Sequence, residues 1–304
     1  MAPEPEHEPV LLEEVLGFLR EGLAGREAPR ILDGTVGLGG YAEAMLRAFP
    51  GGTVLGIDRD PQALSLAEER LSPFGRRFRA EHANFGAVGE LLKARGPFDA
   101  IVFDLGVSNL QISEAERGFS FQRDGPLDMR MDPGSGAPTA ADILAHADKR
   151  ELARIFWEYG EERYARQIAS RVELHRRRGG RLERTGDLTA LIRGLLPEPV
   201  QRRMGGHPAR RVFQALRIFV NDELGELESM LSGLPGLAAE GCLAAVVSYH
   251  SLEDRIVKHR FRAWEKEEGR GRVLTRRPIL PGEAERDRNY KSRSAKLRAF
   301  RFEG

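Results

Sequence analysis

The sequence predicts a doubly wound α/β fold interrupted by a helical insertion, and three observations carry the prediction. Short apolar runs end in an acid at Asp33, Asp58 and Asp104 with helix-like segments between them, the alternation expected of a parallel sheet. The first run, Ile31-Leu32, enters a glycine-rich turn from Asp33 to Gly40 that opens a helix at Tyr41; such a turn is where α/β proteins hold nucleotide-like ligands. The alternation lapses after Leu105, and a buried strand pattern returns at Cys242 to Ser248. One domain is therefore expected from 1–108 and 207–304, with an all-helical insertion at 109–206.

The elements follow in order. Val10 to Phe18 has helical apolar spacing. Thr53 to Ile57 is a buried strand ending in Asp58, and Asp60 caps a helix that Pro61 opens and that runs to about Leu71. Phe78 to Ala83 is a weak third strand, Phe85 to Ala94 a helix, and Ala100 to Phe103 a clear fourth strand. From Leu105 to about Pro138 neither period is visible, and the Phe, Leu and Met content predicts an ordered functional loop. Helices are expected at Ala140 to Ala145, at Lys149 to Trp157 behind an Asp148 cap, at Glu161 to Arg177, and up to Leu195 behind a Thr185 cap. After Pro208 one long helix carries Val212, Phe213, Leu216, Val220, Leu224, Leu227 and Leu231 on one side. Ser251 caps a helix from Leu252 to about Trp264, and Val273-Leu274 and Lys296 to Phe302 close the sheet as antiparallel strands.

Composition narrows the class. The 304 residues suffice for one large or two ordinary domains, and no run approaches the ~20 apolar residues of a membrane span. Met1 to Pro9 is acidic and proline-rich, with no basic start to a signal peptide. Cys242 stands alone, and His7, His82, His146, His175, His207 and His259 show no ligand spacing, so neither a disulfide nor a metal is expected. These features fit a cytoplasmic protein without membrane attachment. The net charge of +1 conceals a gradient: −5 over Met1 to Pro29, +8 over Arg171 to Arg217 and +9 over Arg255 to Gly304. Two basic segments could form one phosphate-facing surface or two solvated faces.

Charge also bears on the turn. Gly37-x-Gly39-x-x-Ala42 fits a dinucleotide fingerprint, and Asp58 follows at the roughly 20-residue spacing of a ribose-binding acid. Asp33, however, places a carboxylate directly before the turn, and no Lys or Arg lies between it and Tyr41. A pyrophosphate would meet an uncompensated anion there. S-adenosylmethionine carries a sulfonium and an ammonium and no phosphate, so it is favoured, with a nicotinamide dinucleotide as the alternative. The turn lacks the Gly-Lys-Ser/Thr ending of a P-loop.

Several blocks together resemble one family: Glu8-Pro9-Val10-Leu11-Leu12, the Asp33 to Tyr41 turn, Gly56 to Pro61, Asp104 to Ser108, Glu116 through Asp132, Tyr159 to Arg163, Phe213 to Arg217 and Ser251 to Arg255. Covering most of the chain in order, they resemble the bacterial 16S rRNA (cytosine-N4)-methyltransferases, the MraW or RsmH family. The resemblance implies a Rossmann-like S-adenosylmethionine-dependent methyltransferase domain with an inserted helical domain for substrate recognition. It implies action on a cytidine in the decoding region of 16S rRNA, within the small ribosomal subunit.

Carried over by position, the cofactor residues are Gly39, Gly40, Tyr41, Asp58, Phe85, Asp104 and Gln111, to which the turn adds Asp33 and Gly37. Relatives commonly have His where this chain has Tyr41, so a backbone contact is expected there. Asp58 would accept the ribose hydroxyls and Phe85 would lie against the adenine. Asp104 is the catalytic candidate: cytosine N4 is a poor nucleophile, and a carboxylate could bind its hydrogens as it pyramidalises and accept the departing proton. Asp104-Leu105-Gly106-Val107 lacks the Pro-Pro-aromatic ending of many amino-methyltransferases, which leaves a cofactor-holding role open. Phe119, Phe121, Trp157 and Tyr249 are candidates to receive an unstacked base. An NAD-dependent oxidoreductase and a non-enzymatic RNA-binding assembly factor are the competing functions.

Overall fold

The computed structural model describes residues 9–204 and 206–303. Glu8 of the first family block, His7 and the acidic start used to argue against a signal peptide lie outside the described residues. Two compact units emerge: one runs to Gly106 and resumes at Leu224, and the other is Val107–Glu223.

The first unit is built on seven strands: β1 (Arg30–Asp33), β2 (Thr53–Asp58), β3 (Phe78–His82), β4 (Phe98–Asp104), β5 (Ala238–Ser248), β6 (Gly271–Val273) and β7 (Lys296–Phe302). Their order is β3-β2-β1-β4-β5-β7-β6. The first five run parallel, and β7 lies antiparallel to both β5 and β6. Sequence order reverses beside β1, whose neighbours are β2 and β4. Such a switch point opens a crevice at the carboxyl ends of the strands.

Strand side chains alternate faces, and both faces are apolar here. Ile31, Ala100, Val102, Leu243, Ala245 and Val247 belong to one core with Leu19, Met45 and Leu64 from helices. Leu32, Ile101, Phe103, Ala244 and Val246 belong to another with Met230, Leu231 and Trp264. Burial on both sides makes these strands near-continuous hydrophobic runs, as parallel strands between two helical layers must be. Each fully buried Phe or Leu contributes about 1.5–3 kcal/mol through burial.

The second unit has a core of its own, with Phe156, Ile168, Leu188, Ile192, Val212, Phe213 and Leu216 all buried. Its extent corrects the expected insertion boundary. The unit ends at Glu223 rather than Gly206, because the helix Arg210–Asn221 buries its apolar face among the inserted helices. The single long helix expected after Pro208 is likewise two. Asp222 adopts a left-handed conformation (φ +47°) and ends the first; a second, Glu223–Gly233, follows. Leu227 and Leu231, assigned by periodicity to the same stripe as Val212, belong to the sheet's core.

Smaller differences have local causes. The segment after Leu105 contains a short helix, Asn109–Ser113, closed by a Ser108/Gln111 capping box, and two 3-10 turns, Ala115–Arg117 and Pro133–Ser135. Its Asp124 carboxylate accepts from the Gly186 N–H at 3.0 Å and the Arg184 guanidinium at 2.8 Å. Thr185 does not cap its helix: its hydroxyl donates to the Arg123 carbonyl and accepts from Gly125 N–H. The cap near the C-terminus is His250 rather than Ser251, in a capping box with Glu253. The helix predicted from Glu161 begins at Ala165, after Glu161 itself takes φ +47°. Asp60 and Asp148 cap as expected.

Candidate active site

The predicted acids of the first unit gather where β1, β2 and β4 end. The turn after β1 positions them. Gly39 has φ +81°, a conformation open to glycine, and ends the turn as the N-cap of the helix Gly40–Ala48. Gly34 is required by close approach: a Cβ there would sit 2.0 Å from the Phe103 ring. Between them, Thr35 Oγ1 accepts a hydrogen bond from Asp104 N–H at 2.6 Å, joining the β1 turn to the end of β4. Gly37 N–H donates to Asp58 Oδ2 at 2.8 Å, joining the same turn to the end of β2.

The hydrogen bonds reaching the three carboxylates come from backbone amides and a hydroxyl. Asp58 Oδ1 accepts from Asp60 N–H at 2.9 Å. Asp104 Oδ1 accepts from the Tyr249 hydroxyl at 2.7 Å. Asp33 is buried; its Oδ1 accepts weakly from Thr35 N–H at 3.3 Å, and its buried Oδ2 has no partner among the described residues. Burial pushes Asp33 up to about 7; the Thr35 amide opposes the shift, and the Asp104 and Asp58 charges add to it. Burial also pushes Asp104 up to about 7, against the Tyr249 hydrogen bond and the Lys291 charge. Asp58 is raised by burial too, with the Asp60 and Gly37 amides opposing. A bound cation would relieve all three, whereas an anion would add to their repulsion.

The remaining predicted residues fall out differently. Phe85 lies in a turn capped by Asn84, half-buried, edge-on to Phe103 with ring centroids 6.2 Å apart. Tyr41 is in the core, its hydroxyl donating to the Val10 carbonyl. The Gly40-Tyr41 backbone at the helix start is the part left for a ligand. Gln111 belongs to the second unit, where its side-chain oxygen accepts from Ser108 N–H at 3.1 Å.

Of the aromatic candidates, Phe119 is buried in the second unit's core. Phe121 stacks on His207 at 4.7 Å, Tyr249 is engaged with Asp104, and Trp157 is exposed. One participant, Thr35, and one contact, between Asp104 and Tyr249, were not foreseen from the sequence. Thr35 gave no signal beyond its place in the turn, and the Asp104–Tyr249 pairing joins residues far apart in sequence.

The chain that builds this sheet and carries these acids is matched by a family model along nearly its whole length. Residues 4–303 fit the model described as the MraW methylase family. The chain belongs to the MraW methylase family. Among MraW relatives, the protein named ribosomal RNA small subunit methyltransferase H from Syntrophobacter fumaroxidans is 46% identical, over 100% of this chain and 99% of its own. One of the same name from Nocardioides sp. is 49% identical over 84% of this chain and 80% of its own. A solved rRNA methylase from Streptococcus thermophilus aligns over 100% of this chain and 99% of its own, with a TM-score of 0.43 and 12% identity. No helix among the described residues of this MraW protein is long and apolar enough to cross a membrane.

Proposed function

We propose that this MraW-family protein is an S-adenosylmethionine-dependent methyltransferase that modifies the exocyclic N4 amine of a cytidine in the decoding region of 16S rRNA. Its substrate setting is the small ribosomal subunit in the cytoplasm. The observation that carries the reading is the family match along residues 4–303, joined by relatives that share both length and name. The acid cluster supports the cofactor. Asp33 Oδ2, buried and without a partner among the described residues, suits a cation at the turn and speaks against the pyrophosphate of a dinucleotide.

When bound, S-adenosylmethionine supplies a methyl group on a positively charged sulfur. Asp33, Gly37, Gly39, Gly40 and the Tyr41 backbone would hold its charged and polar end. Asp58 would hold the ribose hydroxyls, since each of its oxygens keeps a lone pair beyond the amide it accepts. Phe85 would face the adenine. Asp104 would bind the cytosine amino hydrogens and take the proton that leaves N4. Tyr249 donates to its Oδ1, and lone pairs remain on both carboxylate oxygens for the amine. The second unit, Val107–Glu223, would supply substrate recognition.

Incubation with radiolabelled S-adenosylmethionine and small subunits lacking the modification tests the reading. Label on one cytidine of 16S rRNA is expected; label on DNA or protein alone would contradict it.

A further inference from the structure

The second unit carries a cavity whose lining includes none of the residues placed in the methyl-transfer site. It is open to solvent, has a volume of about 820 Å³ and is lined by Lys149, Arg150, Arg154, Trp157, Arg163 and Arg166, among others. Two helices that pack on each other build it, Lys149–Glu158 and Ala165–Arg177. On the first, Arg150, Arg154 and Trp157 follow helical spacing, so they share one face, while Leu152, Ile155 and Phe156 turn into the core. On the second, Arg166 and Ser170 sit one turn apart, with Ile168, Ala169 and Val172 buried opposite.

The indole is the anomaly in this wall. Trp157 is 61% exposed, whereas the protein's other tryptophan, Trp264, is fully buried. Five cationic side chains line the cavity with it, and their charge is only partly answered. Arg154 pairs with Glu158 at 2.7 Å and Lys149 approaches Glu173 at 3.9 Å. Arg150, Arg163 and Arg166 are exposed, with no ion pair among the described residues. An open aromatic face among unpaired guanidinium groups matches single-stranded nucleic acid: phosphates meet the cations, and a splayed base stacks on the ring.

We propose that this cavity is an RNA-binding site in which Trp157 stacks on an unpaired base and Arg150, Arg163 and Arg166 hold the flanking phosphates. It anchors the substrate at a point other than the cytidine being modified. The proposal rests on the rRNA reading above and adds a second anchor point to it. An acidic protein surface is the competing occupant, but it would use the cations and leave the indole without a planar partner.

The test uses the full-length protein and single-stranded RNA oligonucleotides. RNA should quench tryptophan emission in the wild type and in Trp264→Phe, but not in Trp157→Phe. Trp157→Ala should weaken RNA binding on the order of 5- to 150-fold, the range of one base stack. Arg150→Glu with Arg166→Glu should weaken it further and lower the salt slope by roughly one for each phosphate no longer held. In methyl transfer to subunits, Trp157→Ala should raise KM and leave kcat and S-adenosylmethionine affinity unchanged. Unchanged RNA affinity in Trp157→Ala, with emission unmoved by RNA, would overturn the proposal. So would variants that lose subunit binding while still binding RNA, since that result assigns the cavity to a ribosomal protein. A wild type that quenches with RNA yet methylates no subunit would keep the cavity and reject the proposed function instead.

Discussion

At the scale of single residues, the two raised acids make pH the informative variable. An Asp whose folded pKa stands near 7 against an ordinary 3.8 binds its proton more tightly when folded, so its contribution to stability declines as pH rises from about 4 to 7. Asp33→Asn removes that decline. Thermal unfolding of the ligand-free variant should give a higher Tm than the wild type at pH 8 and a smaller difference at pH 5, together with weaker S-adenosylmethionine binding. Asp104, also near 7 in the ligand-free protein, must be ionised to accept a proton, so kcat/KM for S-adenosylmethionine, which reports the free enzyme, should rise with pH through about 7 and then level. Asp104→Asn should lower kcat by roughly 10²–10⁴-fold, with S-adenosylmethionine affinity much less affected when followed by calorimetry. All three acids were legible in the sequence because each ends an apolar run. Their protonation was not, because it follows from burial and from the Tyr249 hydroxyl, which no local pattern connects to Asp104.

At the scale of elements, the turn after β1 depends on a backbone geometry that a side chain would disturb. A methyl group at Gly39 would lie 3.0 Å from Leu71 Cδ1 on a residue held at φ +81°, and a left-handed non-glycine residue costs about 1–2 kcal/mol. Gly39→Ala should therefore shift the denaturant midpoint down by a corresponding amount and reduce cofactor affinity in the same sample. The parallel strands and the helices capped by Asp60 and Asp148 were readable because period and cap agree locally. Periodicity misled after Pro208: the apolar stripe stays in phase from Val212 to Leu231, but Asp222 breaks the backbone between residues serving different cores. The caps assigned to Thr185 and Ser251 failed for a related reason. Thr185 spends its hydroxyl on the Arg123–Gly125 segment some 60 positions away, and the imidazole next to Ser251 takes the capping place.

At the scale of the whole molecule, the small net charge hides the property that matters for a nucleic-acid substrate. The basic stretches Arg171 to Arg217 and Arg255 to Gly304 predict RNA binding whose logarithm falls steeply and linearly with the logarithm of salt concentration; filter binding between low and physiological salt checks it, and a flat response would contradict it. The division of the chain was visible as a lapse in strand–helix alternation, yet its far boundary was not. A Pro- and Gly-marked stretch near Gly206 looks like a border, and only packing shows that Arg210–Asn221 belongs with the inserted helices. Each of the three apolar clusters draws its members from one unit. That partition reaches past the present chain to its lineage. Volume can be traded between Phe156 and Leu216 without asking any adjustment of Phe103 or Trp264, so descendants can drift in one block of sequence at a pace the other block does not share.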